Sequence, residues 1–142
     1  MGFSLSAATA IIGVAILMSF EVMVADVIPT ITDTHDSYDE MKERFVDQIQ
    51  TDINITSIRT SANASNYDLN ITVENTGSIT LETENFNILI NGTKHTFTCS
   101  KKYLHPQNEV YFNVTNLPGS GNRRLKVVTN NGVSDYYEYT IT

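Results

Sequence analysis

Apolar residues follow two different patterns along the chain, and the change between them falls near residue 50. Phe3 to Phe20 carries no charge and is mostly apolar. A run of about 18 such residues is the minimum that crosses a bilayer core as a helix. From Ile49 onward, apolar residues alternate with polar ones, as they do in strands with one buried face. The pattern therefore predicts one membrane helix followed by a β domain.

Residues 1–28 are predicted to be an N-terminal transmembrane anchor. Glu21 and Asp26 interrupt the apolar run, and a carboxylate at the bilayer centre costs about 3 kcal/mol or more. The two acids are therefore expected to mark the emerging end of the helix. The start lacks the basic residues of a secretory signal peptide, so we expect the anchor to be retained.

Residues 29–50 are predicted to form a stalk that contains a short amphipathic helix. Pro29 disfavours helical geometry at Ile28, which predicts a kink or break just outside the membrane. Ser37 and Glu40 have the spacing of a capping box at the start of a new helix. The apolar residues of this segment share one face at helical spacing: Tyr38, Met41, Phe45 and Ile49.

Residues 51–142 show the alternation and the turn signals of a mainly β domain. The alternating apolar positions are Ile53, Ile55, Tyr67, Leu69, Ile71, Val73, Phe86, Ile88, Ile90, Phe97, Cys99, Val110, Phe112, Val114, Leu125, Val127, Tyr137, Tyr139 and Ile141. Turn signals separate them at residues 75–77, 91–92, 118–121 and 130–132. Seven or eight short strands so spaced predict an immunoglobulin-like antiparallel β-sandwich.

Composition further restricts the kind of β-sandwich and the kind of partner. The net charge of −7 argues against nucleic acid as a partner. The single Cys99 excludes an internal disulfide, and it is expected to be a buried small hydrophobe. The sequence has no tryptophan, so the sandwich lacks the hallmarks of antibody domains.

Five sequons of the form Asn-x-Ser/Thr begin at Asn54, Asn63, Asn70, Asn91 and Asn113. Three of these asparagines, Asn54, Asn70 and Asn113, occupy polar positions of alternating strands, where a glycan would face solvent. We expect at least some of the five to be modified. Glycosylation places the domain on the translocated side of the membrane, which predicts an N-terminus inside and a C-terminus outside.

The chemistry-bearing residues point to binding and not to catalysis. His35, His95 and His105 lie far apart in sequence, and the motifs of hydrolases, metalloproteases and phosphate loops are missing. The acids around His35 lack the spacing of a calcium loop. We therefore predict no enzyme activity, no metal and no cofactor. Two basic or aromatic patches are expected in loops, and both, with one strand residue, are candidates for partner binding: Lys101, Lys102 and Tyr103; Arg123 and Arg124; and Tyr136.

The start MGFSLSAATAIIGVAIL, the segment NITVENTGSITLETENFNILINGT and the segment RRLKVVTNNGVSDYYEYTI resemble the archaeal flagellar (archaellum) accessory protein F family. The accessory protein G family is similar in plan. The resemblance implies a single-pass protein of the cytoplasmic membrane with its sandwich in the pseudoperiplasm. There it would bind the surface-layer protein as part of the stator. It also implies association with accessory protein G, or as a homodimer or hetero-oligomer, through the sandwich.

Two other functions remain open. A pilin-like or flagellin-like filament subunit has the same helix and sandwich, but Glu21, Asp26 and Pro29 oppose the packing of apolar helices into a filament core. A generic cell-surface binding module is the second alternative. It would require a concave ligand pocket, which the sequence does not indicate.

Overall fold

The structure is a computed structural model that describes residues 2–63 and 65–141. The chain divides into two compact units, Met1–Glu43 and Arg44–Thr142. The second unit thus contains the end of the N-terminal helix as well as the β domain. The division predicted from the sequence, at residues 28 and 50, stays a prediction.

The N-terminal helix is longer than predicted and runs without a break. It consists of α1 (Gly2–Val22), a π-helical turn (Met23–Val27) and α2 (Ile28–Gln50). This helix of 49 residues is long and apolar enough to cross a membrane. Its residues up to Gln50 are exposed to the surroundings along their whole length.

The chain does not break at Pro29, because a widened turn directly before the proline accommodates it. A proline in a helix lacks an N–H, and its ring crowds the carbonyl four residues earlier. In the turn directly before Pro29, the N–H of Ile28 donates to the carbonyl of Met23, five residues back. The π-helical turn gives the ring space, and the helix continues beyond it.

The capping box predicted at Ser37 is also wrong. Ser37 lies inside α2, and its hydroxyl donates to the carbonyl of Asp33 at 2.7 Å. A serine that bonds back to the preceding turn satisfies its own hydroxyl and caps nothing. The predicted apolar face of α2 is present as an exposed stripe, in which Tyr38, Met41 and Phe45 are each about 60% exposed.

The β domain contains ten strands in the part of the chain that the structure describes. They are β1 (Ile53–Asn63), β2 (Asn66–Asn75), β3 (Leu81–Glu82), β4 (Asn87–Ile90), β5 (Thr93–His95), β6 (Thr98–Cys99), β7 (Tyr103–Leu104), β8 (Glu109–Pro118), β9 (Gly121–Val128) and β10 (Ser134–Ile141). Sheet 1 has the order β1-β2-β8-β6, and sheet 2 has the order β10-β9-β4-β5. The strands β3 and β7 form a short separate pair.

This strand order is that of an immunoglobulin-type sandwich. If the short pair is set aside, the strands in chain order take the letters A, B, C, C′, D, E, F and G. The sheets then read A-B-E-D and G-F-C-C′, the arrangement that defines the immunoglobulin class. All pairs are antiparallel. The predicted fold class, a sandwich preceded by an apolar helix, is confirmed.

The core fills the space between the two sheets with the residues that the alternation singled out. Most of them are fully buried, including Leu69 and Ile71 of β2, Phe112 of β8 and Leu125 of β9. Phe97 lies between β5 and β6 and packs edge-on against Phe112, with ring centroids 5.2 Å apart. Phe97, Cys99 and Ile141 are half-buried against this core, and Tyr137 is exposed on β10.

The turn after β2 caps the end of the helix. The N–H of Ser78 donates to the carbonyl of Gln50 at 2.9 Å, and the N–H of Gly77 donates to the carbonyl of Asp52 at 3.0 Å. A Cβ on Gly77 would lie 2.5 Å from the carbonyl oxygen of Gln50. Only glycine therefore permits this close approach. The helix end is bonded to the sandwich through backbone atoms.

Asn75 holds the same turn together from inside. Its side chain is fully buried, and its amide donates to the carbonyls of Ile79 at 2.7 Å and Leu104 at 3.0 Å. Its side-chain oxygen accepts the N–H of Gly77 at 3.0 Å. A buried amide with every group bonded fixes one local conformation.

Candidate interaction face

The first predicted patch lies between the end of β6 and the start of β7. Lys101 and Lys102 are exposed, and Tyr103 is the first residue of β7. The ammonium of Lys102 lies 5.6 Å from the ring centroid of Tyr103. The hydroxyl of Thr83 lies within bonding distance of the carbonyls of both lysines. The backbone of this patch is therefore held while its side chains reach solvent.

The second predicted patch does not form, and the expectation that Arg123 and Arg124 share a loop is wrong. Both lie in β9, where successive side chains point to opposite faces. Arg123 pairs with Tyr139 in register and is half-buried, with its guanidinium against Gly119 and 3.4 Å from the carbonyl of Pro118. Arg124 is exposed on the outer face of sheet 2.

Arg124 instead joins a cluster around Tyr136. Its guanidinium carbon lies 4.4 Å from the ring centroid of Tyr136, and the ammonium of Lys126 lies 5.0 Å from the same centroid. Both distances are within the range of cation–π attraction. The pKa of Tyr136 is lowered from its ordinary value, first by a hydrogen bond with Lys126 and further by the charges of Lys126 and Arg124.

The register extends this cluster across the whole sheet. Tyr136 is the partner of Lys126, Lys126 is the partner of Leu89, and Leu89 is the partner of Lys94. One row of side chains thus crosses all four strands of sheet 2, with Arg124 in the adjacent row. We call these five residues, Leu89, Lys94, Arg124, Lys126 and Tyr136, the basic face.

Two members of the basic face, Lys94 and Lys126, were not predicted from the sequence. The signal for Lys126 was present, because residues 124 and 126 are two apart in a strand and must share a face. Lys94 comes from β5, and its place beside Leu89 depends on the β4–β5 register. That register follows from the tight turn at Asn91 and Gly92, whose φ values are 49° and 83°.

The candidate glycosylation sites fall mostly on sheet 1. Asn54 on β1, Asn70 on β2 and Asn113 on β8 are exposed, and Asn70 and Asn113 are direct partners across the strands. Asn63 ends β1. Asn91 lies in the β4–β5 turn, where its side-chain oxygen accepts the N–H of Arg124 at 2.9 Å. The four asparagines in strands all belong to the sheet that does not carry the basic face.

The cysteine and the three histidines lie in separate parts of the molecule. Cys99 is half-buried against the core, and the Thr83 hydroxyl lies 3.5 Å from its sulfur. His95 is in β5, and His105 is in a loop, where its Nδ1 is 3.1 Å from the hydroxyl of Thr80. His35 pairs with Asp39 at 3.5 Å on α2. Within residues 2–63 and 65–141, no three His, Cys, Asp or Glu side chains group as metal ligands would.

These features define a class of protein: an apolar helix that leads into an immunoglobulin-type sandwich with a basic outer face. Solved structures of archaellum proteins have this fold. The sandwich is similar to the archaellum periplasmic stator protein FlaG from Sulfolobus acidocaldarius, with 21% identity and a TM-score of 0.54 over 63% of this chain and 99% of that chain. It is also similar to the FlaF and FlaG stator protein complex of the same organism, with 18% identity and a TM-score of 0.50 over 61% of this chain and 87% of that chain.

The archaeal flagellum of Methanospirillum hungatei strain JF1 matches helix and sandwich together. The identity is 17% and the TM-score is 0.72, over 96% of this chain and 93% of that chain. No protein-family model and no curated protein sequence matches the chain. At these identities the likeness establishes a shared fold, and the resemblance to the archaellum accessory proteins is confirmed at that level.

Proposed function

We propose that the protein is a membrane-anchored stator component of the archaellum motor, whose sandwich binds the surface-layer protein and so fixes the motor to the cell envelope. The observation that carries the proposal is the match to FlaG, a periplasmic stator protein, over 99% of that chain. The match covers 63% of this chain, which is about the size of the sandwich.

The proposed localisation is the cytoplasmic membrane, crossed once, with the N-terminus inside and the sandwich outside facing the surface layer. An apolar helix near the N-terminus supports the single crossing. The exposed sequon asparagines of sheet 1 support the outside position of the sandwich, because glycans are added on the translocated side. Residues 1–28 would be the anchor, 29–50 the stalk and 51–142 the binding domain.

The proposed partners are the surface-layer protein and an accessory protein of the G type. The second follows from the likeness to a complex in which FlaF and FlaG occur together. Association as a homodimer or hetero-oligomer through the sandwich completes the proposal. The proposed partner-binding residues form two groups. Arg124 and Tyr136 lie on the basic face, and Lys101, Lys102 and Tyr103 lie at the start of β7.

A filament subunit is the second candidate function, and one observation favours it. The flagellum match covers 96% of this chain, helix included, with the higher TM-score of 0.72. The exposed apolar stripe of α2 would also suit helix packing. Against it stand Glu21 and Asp26, since a carboxylate among packed apolar helices costs about 3 kcal/mol or more unless it is paired.

One experiment separates the two functions. A host strain would express the full chain with a C-terminal tag at native level, and sheared filaments would be compared with detergent-solubilised membranes by quantitative mass spectrometry. The stator function predicts that the tag stays in the membrane fraction and co-purifies with the surface-layer protein. Recovery of the tag in filaments, in proportion to the main filament subunit, would establish the filament function instead.

A deletion strain supplies the matching functional readout. Loss of a stator component should leave filaments assembled but the cells non-motile, because rotation needs a fixed counterpart. A strain complemented with the intact gene is the control. Absence of filaments from the deletion strain would contradict the proposal and favour a role in filament construction.

A further inference from the structure

We propose that the basic face binds a carboxylate-rich polypeptide segment of the partner protein. This inference rests on the proposed function, since it names the chemistry by which the sandwich would hold its external partner. The face comprises three cations on two strands, Lys94 on β5 and Arg124 and Lys126 on β9. It also has an aromatic ring within cation–π distance of the two cations on β9, and one half-buried leucine.

The charge distribution points to an acidic partner at this face. The chain has a net charge of −7, so an acidic protein is repelled by most of its surface. Three of the 9 Lys and Arg residues lie on the basic face. Of the acids on β10, Glu138 is the register partner of Arg124 and lies on the same face, so it offsets one of the three positive charges there. The carboxylate of Asp135 accepts the N–H of Ile55 at 2.8 Å, away from this face. The basic face is therefore a local attractive site on an acidic molecule.

The register sets the spacing that a ligand must match. Neighbouring strands lie about 4.8 Å apart, so the Cα atoms of Lys126 and Lys94, two strands apart, are separated by about 10 Å. An extended peptide advances about 3.4 Å per residue, and only its alternate side chains share one face. Two acids four positions apart therefore face the same way at about 14 Å, a distance that the flexible lysine side chains can reach from Cα atoms about 10 Å apart. Leu89 lies between the two lysines. The segment that fits has two acids four positions apart with an apolar residue midway between them on the same face.

The aromatic group favours a polypeptide over an acidic polysaccharide. A sugar ring would need an open aromatic face on which to stack, but Arg124 and Lys126 already occupy the ring of Tyr136. Tyr136 is 46% exposed. The strand sequons lie on sheet 1, so glycans there leave the basic face open to a protein.

The test uses the full chain in detergent micelles and two polymer probes, poly-L-glutamate and polygalacturonate. The double variant Arg124→Ala/Lys126→Ala removes two cations of the basic face. The double variant Lys42→Ala/Arg59→Ala removes the same charge at exposed positions outside both the basic face and the Lys101–Lys102 patch, and is the matched control. Two exposed charge contacts correspond to about a tenfold loss of affinity for polyglutamate in the first variant, against less than about twofold in the control. Added salt should reduce the difference between the two.

The same variants would then be tested for capture of the surface-layer protein. Equal loss in both double variants would overturn the inference, as would binding of polygalacturonate as tight as that of polyglutamate. Undiminished capture of the layer protein by the Arg124→Ala/Lys126→Ala variant would also overturn it, while leaving the proposed function intact. Selective loss of polyglutamate binding without any capture of the layer protein would support the inference and count against the proposed function.

Discussion

The hydroxyls of Tyr67 and Tyr139 link the two sheets at one end of the core. They lie 3.0 Å apart, and the rings meet edge to face with centroids at 6.4 Å. Tyr67 is only 4% exposed, so water cannot replace a missing partner there. Each hydroxyl therefore depends on the other.

Replacing Tyr67 by Phe should destabilise the fold by about 1–3 kcal/mol, because the Tyr139 hydroxyl would stay buried without a partner. The free energy of unfolding can be measured by urea titration of the near-ultraviolet circular dichroism. Tyr111→Phe is the matched control, since that ring is 48% exposed. An exposed substitution of this kind should change the free energy by less than about 0.5 kcal/mol. Equal values for the two variants would contradict the role of the pair.

The same pair makes stability depend on pH in the alkaline range. Burial, and then the hydrogen bond with Tyr67, raises the pKa of Tyr139. Above the ordinary tyrosine value of about 10, the unfolded chain loses this proton while the folded chain keeps it, so stability falls as the pH rises. The Tyr139→Phe variant should show a shallower fall. An identical slope in both proteins would show that Tyr139 does not contribute.

The pKa of Tyr136 is shifted in the opposite direction to that of Tyr139. It is lowered, first by the hydrogen bond with Lys126. In a titration followed by the absorbance of tyrosinate, we expect Tyr136 to ionise below the ordinary tyrosine pKa of about 10. Lys126→Ala should move the transition of Tyr136 to higher pH. The control Lys102→Ala should leave the transition of Tyr136 unchanged. An unchanged transition in Lys126→Ala would contradict the geometry of the cluster.

At the level of elements, the turn at residues 75–78 is what joins the helix end to the sandwich. Gly77→Ala would place a Cβ 2.5 Å from the carbonyl oxygen of Gln50 and 2.6 Å from the nitrogen of Asp52. Backbone on both sides must then shift, which costs about 1–3 kcal/mol. Gly13→Ala is the matched control, because a Cβ there meets nothing within 4 Å. Thermal unfolding should show the loss for Gly77→Ala alone, and equal midpoints would refute the close approach.

At the level of the whole molecule, the pairing of Asn70 with Asn113 limits how sheet 1 can be glycosylated. Directly opposed residues have Cβ atoms about 5 Å apart, so two glycans would compete for the same space. Asn113→Gln should therefore raise the occupancy at Asn70, as measured by mass spectrometry of glycopeptides from the native host. Asn63→Gln removes a sequon at the end of β1 and should leave Asn70 unchanged. Full occupancy of both sites in the parent chain would contradict the competition.

Much of the sandwich followed from the sequence because its core obeys a local rule. Alternation identified Leu69, Ile71 and Phe112 as inward residues, and Asn91 with Gly92 identified the tight turn. The kink or break at Pro29 was predicted from the proline alone, whereas the wider turn that accommodates the proline depends on the carbonyl of Met23. The basic face was only half visible, since Lys94 reaches it through pairing between strands. Such pairing between strands cannot be predicted from the sequence of one segment alone.

The bonded end of the helix also determines how a twisting force passes through the protein. The N–H groups of Ser78 and Gly77 donate to the carbonyls of Gln50 and Asp52, so two backbone hydrogen bonds connect the end of the helix to the sandwich in addition to the covalent chain. A twisting force applied at residues 50–52 would therefore pass to the sandwich through these bonds as well as through the chain itself.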